Sequence, residues 1–292
     1  MKTRHFSRRS AAILRPVALL FACAAWAATS SAAPIYTWDF QDSPYVAGST
    51  PEGAGVSTGG LTSGNVVNVV DRETTPVDPF GGDDNKSVYI HKDKGSGSNV
   101  PAFQLELPGY SSSSPLVSGT VTFDIYVEEL QDGRGSLEID LGTLGSTSVN
   151  SRNSSFAAFQ INTSTATGPG SILYFSNTTS GGSITSSGYA MPTNAKNTIA
   201  VSWDVETKTY TISLNGTQIL SSDFTVSSIG GLSAIRFVKV SDNSLTDLNF
   251  YVDNIAVTTI PEPGTVGLAF LAVGICGVAL RKGDDTTQVK IP

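Results

Sequence analysis

Ile199-Ala-Val-Ser-Trp203-Asp204-Val-Glu-Thr-Lys-Thr-Tyr210-Thr-Ile-Ser-Leu-Asn215-Gly216 is the stretch that decides the fold. Ile199, Val201 and Trp203 alternate with small or polar residues, and so do Tyr210, Ile212 and Leu214, which is the period of half-buried strands. Asn215-Gly216 then supplies the two positive-φ positions of a tight hairpin turn. The same period recurs in Phe103-Leu105-Leu107, Val121-Phe123-Ile125-Val127, Leu137-Ile139-Leu141 and Tyr251-Asp253-Ile255-Val257. Shorter candidates are Ile35 to Phe40, Val66 to Val70, Val88 to Ile90, Phe159-Ile161, Ile172 to Phe175 and Ile235-Phe237. Clusters rich in Gly, Ser, Thr and Pro separate them, at Tyr110 to Pro115, Thr163 to Ser171 and Ser176 to Tyr189, and read as loops. No segment between 33 and 260 carries a sustained helical apolar stripe. A dozen or so strands in one domain of this size predict two packed antiparallel sheets, an all-β sandwich or jelly roll over 33–258.

The paired strands around Trp203, Tyr210 and Asn215-Gly216 resemble those of concanavalin A-like (laminin G-like) jelly rolls. The opening Tyr36-Thr-Trp38-Asp39-Phe40 and closing Phe250-Tyr-Val-Asp253-Asn254-Ile255 are similar to the first and last strands of such domains, which pair side by side. The resemblance implies a fold more than a function, because these sandwiches host lectins, glycanases and spacers alike.

The two ends carry addresses. Lys2, Arg4, Arg8, Arg9 and Arg15 precede an apolar run from Val17 to Ala28 and then small residues, the pattern of a secretory signal peptide over 1–32. Signal peptidase is expected to cut after Ala32. At the other end Pro261-Glu262-Pro263 opens an uncharged run from Gly264 to Leu280, closed by Arg281 and Lys282. Those seventeen residues would make a helix of about 25 Å, close to the ~30 Å of a hydrocarbon core, with the basic pair placed as in a positive-inside anchor. Together these features closely resemble the PEP-CTERM sorting signal, here over 259–292 with a short tail after the basic pair. The resemblance implies an exosortase-type processing enzyme as partner, transient inner-membrane anchoring by the 264–280 helix, and delivery to the cell surface or beyond.

Composition narrows the function. Five of the 18 Lys+Arg precede residue 33 and all 25 Asp+Glu follow it, so the exported chain carries a net charge of −12. Such a surface argues against nucleic acid, whose phosphates need a basic face. The two cysteines, Cys23 and Cys276, lie in the leader and the anchor, leaving the domain without a disulfide framework or a thiolate metal site. His91 is the one histidine outside the leader, which excludes zinc sites built on several His or Cys ligands.

Catalytic candidates are few. Glu138-Ile-Asp140-Leu on one strand resembles the start of the Glu-x-Asp-x-(x)-Glu signature of laminarinase-like glycanases, in which alternation sets nucleophile, assisting Asp and acid/base on one face. Glu138 and Asp140 match the first two roles, but Gly142 and Thr143 stand where the second Glu would be. Without it a retaining hydrolase lacks its proton donor. No organic cofactor is implied. Calcium is the ion the chain is best equipped to hold, through the glycine-flexed loop bearing Asp78, Asp83 and Asp84 or the pair Asp39 and Asp253. Sugar rings stack on exposed aromatics. Trp38 and Trp203 read as core, whereas Tyr45, Tyr110 and Tyr189 fall in loop-like segments and are the candidate ligand-binding residues. The reading that follows is a non-enzymatic surface or matrix protein associated with exopolysaccharide, with at most weak glycan contact. A glycan hydrolase using Glu138 and Asp140 and a ligand-free structural spacer are the alternatives.

Overall fold

The computed structural model describes residues 33–259 except 43, 52, 54, 62–64, 75–78, 82–84, 93–99, 129–135, 146–152, 163–169, 177–182 and 241–247. The leader, the Pro261-Glu262-Pro263 motif, the 264–280 segment, Arg281, Lys282 and the acidic loop residues Asp78, Asp83 and Asp84 lie outside the described residues. Among the described residues no helix is long and apolar enough to cross a membrane.

These residues form fifteen strands in two antiparallel sheets, numbered here in chain order. The eight-stranded sheet runs β13 (Thr217–Asp223), β12 (Thr209–Leu214), β11 (Lys196–Asp204), β6 (Ser118–Val127), β15 (Leu248–Thr258), β4 (Ser87–Lys92) and β3 (Val66–Val70). Its eighth member, β1 (Pro34–Trp38), pairs with the second half of β15, end to end with β4. The seven-stranded sheet runs β10 (Ser183–Ala190), β9 (Ser171–Ser176), β8 (Ser155–Asn162), β7 (Ser136–Gly142), β14 (Ala234–Val240), β5 (Ala102–Glu106) and β2 (Val56–Gly59). The result is an all-β sandwich whose strand order is consistent with a jelly roll.

The decisive hairpin forms as the sequence predicts. Ile199 faces Leu214, Val201 faces Ile212 and Trp203 faces Tyr210 in β11 and β12. Asn215 and Gly216 turn the chain at φ 50 and 80, and the Asn215 Oδ1 accepts the Thr198 amide at 2.8 Å. Between the sheets the apolar faces meet through aromatic contacts. Phe123 packs edge-on against Phe237 at 5.3 Å and Trp203 lies 5.5 Å from Phe156. Trp38 and Trp203 are both buried, as their alternating strands imply. Burying aromatic side chains of this size contributes about 3 kcal/mol or more each, the largest single terms available to a domain without disulfides.

The two outer faces differ. On the eight-stranded sheet the outward residues, such as Thr122, Tyr126, Ala200 and Ser202, are half-buried, as expected of a solvated face. On the seven-stranded sheet the central strands are buried on both faces: Ala102, Gln104, Glu138, Asp140, Ala158, Gln160, Arg236 and Val238 all point away from the core and are sealed nonetheless. Strand β10 corrects one expectation, because Ser176 to Tyr189 reads as loop and most of its second half pairs with β9 instead. As an edge strand it makes one ladder and needs little apolar content.

Candidate functional site

Strand β7 carries the acidic pair. Alternation sends Leu137, Ile139 and Leu141 into the core and Glu138 and Asp140 together to the opposite face, so the two carboxylates do share a face. Register sets Asp140 opposite Arg236 on β14 and Glu138 opposite Gln160 on β8. The Arg236 guanidinium donates to Asp140 Oδ2 through Nε at 3.1 Å and more closely through Nη2. Gln160 Nε2 donates to Glu138 Oε2 at 2.8 Å. All of Glu138, Asp140 and Arg236 are fully buried. The next outward position on this face is Gly142, and a Cβ there would sit 2.0 Å from the Ser154 carbonyl oxygen and 2.7 Å from the Ser155 Cα. The register shift between Leu141 and Gly142 brings that backbone in, so the first of the two places open to the second Glu of the glycanase signature has no room for any side chain, and the other holds Thr143. His91 likewise faces an amide, not a carboxylate: its Nδ1 is 2.8 Å from Asn249 Oδ1.

The junction where β1 and β4 meet beside β15 holds the second acidic group. Asp253 lies in register with Asp124 of β6, just before the irregularity at Asn254, whose φ is 51. Its side chain is fully buried and neither carboxylate oxygen has a hydrogen-bond partner. Burial, with the charges of Asp124 and Asp39 adding to it, pushes the Asp253 carboxyl up to about 7, opposed in part by the Asn254 N–H, which lies close without completing a hydrogen bond, and by the Lys196 charge. Asp124 is held below its ordinary value despite its own burial, because Lys196, Thr198 and Asn254 all donate to it. Asp39 is exposed on the chain leaving β1. The expected adjacency of first and last strands is therefore present, with Trp38 opposite Ile255. A calcium ion needs six to eight oxygens. Among the described residues no group of three His, Cys, Asp or Glu could hold a metal; the loop residues Asp78, Asp83 and Asp84 lie outside them.

The three candidate loop tyrosines sit on separate elements. Tyr45 packs edge-on against Phe40 at 5.0 Å, half-buried. Tyr110 follows β5 and packs half-buried on the core, and Tyr189 is exposed on β10. No ring contact joins them among the described residues. A different aromatic group assembles on the open face of the eight-stranded sheet. Tyr126, Tyr251 and Tyr89 lie opposite one another on β6, β15 and β4. Tyr251 is 5.0 Å from Tyr89 and 5.8 Å from Tyr126, ring centre to ring centre. In the next row Asn249 accepts from Tyr89 at 2.7 Å and donates to Glu128, which also accepts from Tyr251 at 2.9 Å. Burial and the neighbouring Glu128 charge raise the Tyr126 phenol above its ordinary value. No local signal marks this cluster, since its members are far apart in the chain and only strand register joins them.

Neither a protein-family model nor a curated protein matches this sequence. Solved structures do. A conserved carbohydrate esterase from a Shiga toxin-encoding bacteriophage is similar over 78% of this chain and 99% of that one, at 15% identity and TM-score 0.51. The carbohydrate recognition domain of Emp47p is similar over 79% of this chain and 98% of that one, at 11% identity and TM-score 0.47. A sialidase is matched over 67% of this chain but 17% of that one, at 9% identity and TM-score 0.44, so this chain spans a small part of that protein. The esterase match shows the sandwich fold.

Proposed function

We propose that this chain is an exported, non-enzymatic jelly-roll protein of the cell surface or extracellular matrix, associated with exopolysaccharide and touching glycan without cleaving it. The observation that carries the reading is the state of the acidic pair. Glu138 is bonded to Gln160, Asp140 is ion-paired with Arg236, both are fully buried, and of the two places for a second Glu one is Gly142, without room for a side chain, and the other is Thr143, which is no carboxylate. Retaining hydrolysis needs two carboxyl groups flanking an accessible glycosidic bond. The tail resemblance supports export and exosortase-type processing, and the −12 charge supports a surface that shuns anionic polymers. Likeness to a phage carbohydrate esterase makes glycans the first ligands to try.

The test is to incubate purified protein with β-glucans and assay reducing ends. No release is expected from wild type or from Glu138→Gln. Release by wild type that disappears in Glu138→Gln would overturn the reading in favour of a hydrolase.

A further inference from the structure

We propose that the Tyr126–Tyr251–Tyr89 row, with the Asn249–Glu128–His91 row beside it, is a docking strip for an extended, uncharged polysaccharide chain. The proposal rests on the glycan-contact reading above and assigns it a place. Its geometry comes from register alone. Lys196, Tyr126, Tyr251, Tyr89 and Asn68 stand opposite one another across β11, β6, β15, β4 and β3, one residue per strand. Neighbouring strands are about 4.8 Å apart, so Tyr126 and Tyr89, two strands apart, are separated by roughly 10 Å. That is about the length of a disaccharide, which lets two aromatic edges meet alternate sugar rings of one chain.

The burial pattern suits the same role. Tyr251 is 2% exposed and wedged between its neighbours, while Tyr89, Tyr126 and His91 are half-buried. Aromatic rings held by neighbours lose little entropy when a ligand stacks on them, so more of the contact energy appears as affinity. The polar row is equally fixed. Asn249 Oδ1 can only accept, so His91 Nδ1 is the donor of that bond, which takes no part of Nε2. Glu128 takes two donors and keeps lone pairs for sugar hydroxyls. This is the recurring chemistry of sugar recognition, apolar ring faces beside fixed acceptors.

Charge selects the class of polymer. Glu128 lies within the strip and Asp124 beside it, on a domain whose net charge is strongly negative. Lys196, the cation opposite Tyr126, is engaged with Asp124 at 2.7 Å. A uronate or sulfated chain would meet uncompensated repulsion, whereas a neutral chain would not. Among the described residues the other sheet offers no such row, because its outward residues at the centre are buried.

The experiment measures retardation of the full chain, purified in mild detergent, in native gels containing hydroxyethyl cellulose, laminarin or polygalacturonate. Wild type is expected to be held back by at least one neutral glucan and not by polygalacturonate. Tyr89→Ala and Tyr126→Ala should each weaken that binding roughly fivefold to tenfold, the range of one aromatic contact. Tyr126→Phe should bind within about twofold of wild type, which separates loss of the ring from loss of folding. Val117→Ala, at an exposed apolar site off the strip, should bind like wild type. If a neutral glucan binds but both Ala variants bind equally well, the strip is wrong and the glycan reading stands. If polygalacturonate binds more tightly than the neutral chains, the polymer class is wrong. If no glycan binds wild type, both the strip and the glycan-contact reading fall.

Discussion

Asp253 and Asp124 face each other in register on adjacent strands, yet Asp124 accepts from three donors while neither oxygen of Asp253 completes a hydrogen bond. Lys196, Thr198 and Asn254 spend themselves on Asp124, so Asp253 avoids a second buried charge by holding its proton to about pH 7. The unfolded carboxyl titrates near 3.8. The raised folded value therefore contributes stability that is complete below about pH 4 and lost as pH climbs through about 7. The loss is at most about 4 kcal/mol. Asp124 works the other way, losing its contribution as pH falls below 3.8. Melting temperature should peak at about pH 4–5 and fall toward pH 8. Asp253→Asn should raise it at pH 8 and leave it nearly unchanged at pH 4. A wild-type profile flat from pH 4 to 8 would remove the argument.

The buried pair Asp140 and Arg236 makes a second prediction, in urea unfolding. Removing one partner leaves the other charge stranded without solvent, so Asp140→Asn or Arg236→Met should cost about 3–5 kcal/mol. Replacing both by apolar residues, Asp140→Leu with Arg236→Met, should recover most of that loss, because neither charge then has to be desolvated. A double variant as unstable as the sum of the singles would mean that the pair is not coupled as its geometry implies.

Two glycines separate space from backbone strain. A Cβ at Gly119 would lie 2.5 Å from the Thr258 carbonyl oxygen and 2.9 Å from Trp203 Cη2, while nothing lies within 4 Å of one at Gly216, whose φ is +80. Gly119→Ala must push β15 away from β6 and should cost about 2–3 kcal/mol. Gly216→Ala pays only for a left-handed backbone, about 1 kcal/mol. Thermal unfolding of the two variants side by side reads the difference, and Gly145→Ala, with open space around it, is the control.

Strands with strict alternation were legible in the sequence because one residue in two is pinned to the core: Val121 to Val127, Leu137 to Leu141 and Tyr210 to Leu214 all appear where the pattern puts them. Two edge strands were not. β2 and β10 pair along one side only and are rich in Ser, Thr and Gly, so their composition matches that of turns. The edge strands β1 and β3 were legible because aromatic and valine residues mark them, and β13 because the Asn215-Gly216 turn leads into it. Sealing of Glu138 and Asp140 was also hidden, since alternation says which residues share a face but not whether that face meets water. The tyrosine row lay further out of reach. Tyr89, Tyr126 and Tyr251 become neighbours only through the order β6-β15-β4, and strand order is a property of the whole chain.

The last prediction concerns Pro261-Glu262-Pro263, outside the described residues. A simple stop-transfer anchor would need only the run from Gly264 to Leu280 and the basic Arg281 and Lys282, because partition into lipid depends on apolar length and flanking charge. A processing enzyme needs a readable mark just outside the bilayer. Two prolines around one carboxylate supply a stiff, charged element there, with φ fixed and the amide donor missing at both prolines. Pro261→Ala with Glu262→Ala should therefore leave insertion intact and block release, trapping a full-length form in the inner membrane. Fractionation with a C-terminal tag, in a host carrying an exosortase, reads both steps at once. Release and trimming of the double variant at the wild-type rate would reduce the motif to a linker and remove the case for exosortase processing of this chain.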